Sequence, residues 1–189
     1  MKNVTFYYIL GSVLVLFPSL IAYGQKALNT DQQAAIDDFL SRTKAYAELH
    51  DDVERKLIKV PAEASKEQVQ AYKESFQRYI RSARKNAKQG DVLTPAAAET
   101  IRYMIATAYA GQDRIKLRTA VSEAENKDVP VTVNAFYPES AEILETPPKL
   151  LLVLPQLPQQ LRYRFVGRQL LLMDPANHLI VDHMPNAIP

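Results

Sequence analysis

Two strand-like runs, Leu161 to Val166 and Gln169 to Met173, are separated by only two residues, Gly167 and Arg168. A Gly-X pair between alternating runs suits a tight type II′ turn, because glycine alone takes the positive φ at no steric cost. Asp174-Pro175-Ala176-Asn177 then reads as a second turn, and His178 to His183 as a third strand. Three strands joined this closely can only form an antiparallel meander. In the simplest register Leu161, Tyr163, Phe165, Leu170, Leu172, Leu179 and Val181 share one face. That face is wholly apolar and has to rest on something. Arg162, Arg164, Gln169, Met173, His178 and Asp182 share the other. A one-residue slip would exchange the faces, and apolar coherence selects this register.

The residues that cover the sheet come earlier in the chain. Thr30 to Gln33 fits a capping box, followed at helical spacing by Ile36, Phe39, Leu40, Thr43, Ala47, His50, Val53 and Leu57, up to Pro61. Ser65 and Gln68 make a second box. It opens a stripe of Val69, Tyr72, Phe76, Tyr79, Ile80, Ala83 and Ala87, with Gly90 as its left-handed stop. Thr94-Pro95 starts a third helix with Ala97, Ile101, Met104, Ile105 and Ala108 inward and Gly111 at its end. A fourth is expected from Asp113 to about Asn126. After Asp128 the composition becomes strand-forming: Val129 to Tyr137 reads as a strand, and Thr146-Pro147-Pro148 as the cap of a short helix reaching Leu154. Neither half can cover its own apolar face, so one α+β domain is expected over residues 25–189. Its helical part runs from about 30 to 126 and its strand-rich part from about 129 to 184, with three to four helices packed on a small antiparallel C-terminal sheet.

Residues 1–24 have the pattern of a signal peptide. Lys2 gives a positive start, Val4 to Ile21 is nearly uncharged and apolar, and Ala22-Tyr23-Gly24 offers small residues where a signal peptidase reads. Cleavage before Gln25 is expected, giving an exported protein of the periplasm or exterior. The alternative is an inner-membrane anchor left uncleaved, the only membrane contact the sequence suggests. The chain has no cysteine, which removes disulfides, thiolate nucleophiles and thiolate metal sites. A formal net charge of +2 provides no general field for nucleic acid or membrane.

"RSARKNAKQGDVLTP" and "LPQLPQQLRYRFVGRQLLLMDPANHLIVDHMPNAIP" together resemble a family of uncharacterised exported bacterial proteins. In that family a helical first half leads to an ending of the form YRFVGR, then LIVD, then NAIP. The resemblance spans nearly all of the chain after residue 24. It implies export and a bacterial source, and carries no activity and no site residue with it.

Several chemistries lack their residues. Beyond residue 24 the only glycines are Gly90, Gly111 and Gly167, too scattered for a phosphate-cradling loop. No G-x-S-x-G elbow and no H-E-x-x-H pair occurs. Asp174, His178 and Asp182 are spaced by four, as helical metal ligands would be, but Pro175 and the Leu179-Ile180-Val181 run favour turn and strand. Asp174 is then expected to bond local backbone, and Asp182 to pair with Arg164 or Arg168 at the sheet rim. His50 and Glu54, one helical turn apart with Asp51 and Asp52 between, fit a half-buried helix face. No catalytic, metal or cofactor residue is assigned.

One charged feature remains. Lys73 to Lys88 contains six basic residues and one acidic, and Arg78, Arg81, Lys85 and Lys88 fall at helical spacing. Such a stripe can meet anionic lipid, cell-wall polymer or nucleic acid. Alternatively it is a solvated face paired with Asp51, Asp52 and Glu54. The expectation is an exported, non-enzymatic binding module of the cell envelope, the other class being an envelope hydrolase with a carboxylate or His/Asp site.

Overall fold

The computed structural model describes residues 27–123, 129–141 and 144–188. The expected signal segment and its cleavage point lie outside them. Among the described residues no helix is long and apolar enough to cross a membrane.

The fold is α+β. Helix α1, Thr30–Lys56, buries Ile36, Phe39, Thr43, Tyr46, Ala47, His50 and Val53 along one face. Its capping box is Asn29 with Gln32, one residue earlier than Thr30 with Gln33. Both pairs have suitable side chains, but Asn29 is the residue with extended backbone and Thr30 is already helical. Helix α2, Lys66–Ala83, starts at the expected Ser65–Gln68 box. It buries only Phe76 and Ile80, while Val69 is 52% and Tyr79 51% exposed, so the expected broad stripe is cut to two side chains. Helix α3, Pro95–Ala108, is capped by Thr94 and buries Ala97, Ala98, Thr100, Ile101 and Ile105. Helix α4, Gly111–Glu123, begins at a Gly111 held at φ +56° and contributes Leu117 and Val121 to the core. A one-turn helix α5, Pro148–Leu151, lies between the two parts, and Lys149 donates to Asp113 of α4 at 2.6 Å.

The sheet has four antiparallel strands in the order β1-β2-β3-β4: Leu144–Glu145, Arg162–Val166, Gln169–Asp174 and Leu179–Met184. The three-strand meander is joined by β1, a two-residue strand that pairs with Arg164 and Phe165. Gly167 sits at φ +50° and Arg168 stays out of the positive region, the pattern of a II′ turn. His178 belongs to the second turn rather than to β4, at φ +59°.

Leu161, Tyr163, Phe165, Leu170, Leu172, Leu179 and Val181 do face the helices, in one buried cluster that runs from Ile36 to Ile188. The opposite face differs from expectation. Val166, Leu171, Met173 and Ile180 are buried there with Tyr137. The segment Val129 to Tyr137 is the cause. It is not a strand: Asn134 takes φ +67°, and only Phe136 forms a bridge, to Leu179. The segment lies along the β4 edge through Asn134 N to Ile180 O, Ile180 N to Ala135 O and Tyr137 N to His178 O. It thereby blunts that edge and covers the outer face.

The β3–β4 register shifts by one between Leu172, which pairs with Asp182, and Met173, which pairs with Ile180. Val181 is the extra residue of a bulge, and a bulge turns two successive side chains to one side. Asp182 therefore points toward the helices and not to the sheet rim.

Candidate functional site

The bulge brings Asp182 under the loop between α2 and α3. Its carboxylate is fully buried and accepts from the backbone N–H groups of Gly90 (3.1 Å), Val92 (2.9 Å) and Leu93 (2.8 Å). A buried carboxylate is tolerable only when several donors meet it, and here the backbone supplies them. The expected pairing with Arg164 or Arg168 is thus overturned. The Arg168 guanidinium instead donates to the Ile188 carbonyl, at 3.1 and 2.6 Å.

A second buried carboxylate, Asp174, closes the β3–β4 turn. One oxygen accepts from Ala176 N at 2.9 Å, the local bond expected of a turn aspartate. The other accepts from the Tyr46 hydroxyl at 2.6 Å and contacts His50 Nδ1 at 2.7 Å. Burial would lower the His50 pKa, but the hydrogen bond and charge of Asp174, with Glu54 and Asp51 nearby, outweigh it and hold it above the ordinary imidazole value. Burial, then the Asp174 charge, raises the Tyr46 hydroxyl well above its ordinary value. The Phe76 ring lies 4.8 Å from that of His50, and the Arg84 guanidinium 5.2 Å above that of Tyr46. Sequence reasoning placed His50 on the inner face and missed Tyr46. The signal was present: Tyr46 is three residues after Thr43 and four before His50, on the same stripe.

The basic residues are redistributed. Helix α2 ends at Ala83, so Arg78 and Arg81 are helical whereas Lys85 and Lys88 lie in the following loop. The expected stripe of four on one helix is therefore not formed. Nothing local stops the helix, since Arg84 to Gln89 contains neither glycine nor proline. Tertiary contacts stop it. The Arg84 carbonyl accepts from Asn134 Nδ2, its guanidinium donates to Val181 O at 2.7 Å, and the Asp182 carboxylate takes the amides further on. Gly90, at φ +88°, serves that loop and not a helix cap.

Three of the four still share a site. Arg78, Arg81 and Lys85 line an open cleft of about 710 Å³ with Glu74, Gln77, Ser82, Asn134 and Phe136. Lys88 is outside it. Among the described residues none of the four makes an ion pair. Asp52 pairs with Arg55, Asp51 accepts from Gln160, and Lys73 reaches across to Glu139. The alternative of a face neutralised by Asp51, Asp52 and Glu54 is not what the structure contains. Arg81 lies 5.5 Å over the Phe136 ring, which fixes one wall, and Asn134 Oδ1 is a buried acceptor without a partner among the described residues. Chemically, the cleft offers two guanidinium groups and an ammonium to an anion, with the Glu74 carboxylate also in its lining.

Compared with known proteins, the chain matches no family model, no curated protein and no solved structure.

Proposed function

We propose that this is an exported, non-enzymatic bacterial protein that binds an anionic polymer of the cell envelope in the cleft between α2 and the Val129–Tyr137 segment. The observation that carries this is the set Arg78, Arg81 and Lys85, which make no ion pair among the described residues and converge on one cleft with a single acid, Glu74, in its lining. A surface that keeps three cations together without ion pairs retains their field for an incoming anion. Export rests on the Lys2, Val4 to Ile21 and Ala22-Tyr23-Gly24 pattern, and on the resemblance of the chain's ending to an exported family.

Binding of the protein to an immobilised acidic polysaccharide, and to polymer from bacterial envelopes, is the direct test. Retention should fall steeply as salt rises, since exposed charges are screened beyond about 10 Å at 0.1 M ionic strength. Reversing Arg81 and Lys85 to Glu should abolish retention with the circular dichroism spectrum unchanged. Retention indifferent to both salt and the reversal would remove the cleft from consideration. Capture only of an acidic envelope protein would shift the ligand class. Export has its own check: the intact mass of protein recovered from the host's periplasm or medium should correspond to a chain beginning at Gln25. A mass that retains Met1, in the membrane fraction, would establish the anchored alternative.

A further inference from the structure

His50, Asp51 and Glu54 form a group apart from the cleft. We propose that they bind a divalent cation of the kind that accepts mixed nitrogen and oxygen donors, zinc foremost. A ring nitrogen of His50 and one carboxylate oxygen each from Asp51 and Glu54 lie within 4.8 Å of one another. Tetrahedral zinc donors sit about 3.4 Å apart, so the set must contract by up to about 1.4 Å. Glu54, exposed and one helical turn from His50, is free to make that movement.

What separates this group from an ordinary acidic surface is the state of the imidazole. His50 is only 7% exposed, and its Nδ1 is committed to the buried Asp174. Ligating histidines nearly always hold their second ring nitrogen in this way, which fixes the tautomer and directs the other lone pair outward. The Nε2 of His50 has no hydrogen-bond partner among the described residues. Phe76 packs against the ring and removes its rotational freedom, so little ordering is left for a cation to impose. Asp51 is steadied by Gln160 Nε2 at 2.8 Å on one carboxylate oxygen, leaving the other. The Glu54 carboxylate has no partner among the described residues. Three protein donors leave a fourth position of a tetrahedral ion for water or a ligand group.

Calorimetric titration of the protein with zinc chloride should give one equivalent bound. The chain has three histidines, so their ring resonances can all be followed at once. The His50 signals should move while those of His178 and His183 stay. Glu54→Gln, an exposed change that leaves the core untouched, should weaken binding by about tenfold or more. The double variant His178→Asn/His183→Gln should bind as the wild type does. No uptake of zinc, uptake registered at His178 or His183 alone, or affinity unchanged by Glu54→Gln would each overturn the site. None of these outcomes bears on the cleft around Arg81, whose test uses polymer and salt.

Discussion

Asp174 and Asp182 are both fully buried, and they hold the two parts of the molecule together in different ways. Asp174 takes side-chain donors from α1, whereas Asp182 takes backbone donors from the α2–α3 loop. Replacing Asp182 with Ala should therefore strand the amides of Gly90, Val92 and Leu93 in the interior. An unsatisfied buried donor costs about 1–3 kcal/mol, so a loss of about 3 kcal/mol or more in stability is expected. Urea unfolding measures it, and a loss below about 1 kcal/mol would mean that water reaches the loop and replaces the carboxylate. Only part of this was legible in the chain. The Asp174 bond to Ala176 spans two residues and follows from turn chemistry. The partners Tyr46 and His50 are 128 and 124 residues away, and no local pattern encodes such a distance. Asp182 was misplaced because an alternating pattern assumes a regular strand, and the bulge at Val181 changes which side it faces.

Elements defined by local chemistry appear where the sequence places them, and those defined by neighbours do not. The starts of α2 and α3 follow from Ser65–Gln68 and Thr94–Pro95, since caps are contacts over three residues. The β2–β3 hairpin follows from Gly167 and an apolar alternation that only one register keeps together. The end of α2 has no such signal. The sequence from Arg84 to Gln89 would continue a helix, and the bonds that divert it come from Asn134, Val181 and Asp182. The same contacts decide the candidate site, because a longer α2 would carry Lys85 and Lys88 along a straight stripe rather than bring Lys85 to a cleft. Val129 to Tyr137 fails in the opposite sense. Its composition favours a strand, but Asn134 in the left-handed region breaks the ladder after one bridge, and the segment covers Leu171 and Ile180 through Tyr137, Val129 and Val131.

Across the whole molecule, titration links these contacts to stability. Burial, with the nearby Lys73 charge, pulls the His178 pKa down against the weaker opposing pull of Asp174. Burial also lowers His183, with Asp182 opposing. A base whose folded pKa is depressed binds fewer protons folded than unfolded near its ordinary pKa of about 6.5. Its effect is that stability falls as pH drops through that value, by at most about 1.4 kcal/mol per pH unit for each histidine. His50 is raised and works in the other direction, so the comparison of variants is the informative one. His178→Asn/His183→Gln should lose less stability than the wild type between neutral pH and pH 5.5, as read from urea midpoints. Equal losses would show that neither histidine is held neutral by the fold. The Asp182 bond to the α2–α3 loop has a further consequence, in time rather than in energy. A chain made or threaded from its N-terminus presents α1, α2 and α3 long before β4. Until Asp182 emerges, the amides of Gly90, Val92 and Leu93 lack this acceptor. The α2–α3 loop therefore gains its carboxylate acceptor only when the last strand of the sheet is in place.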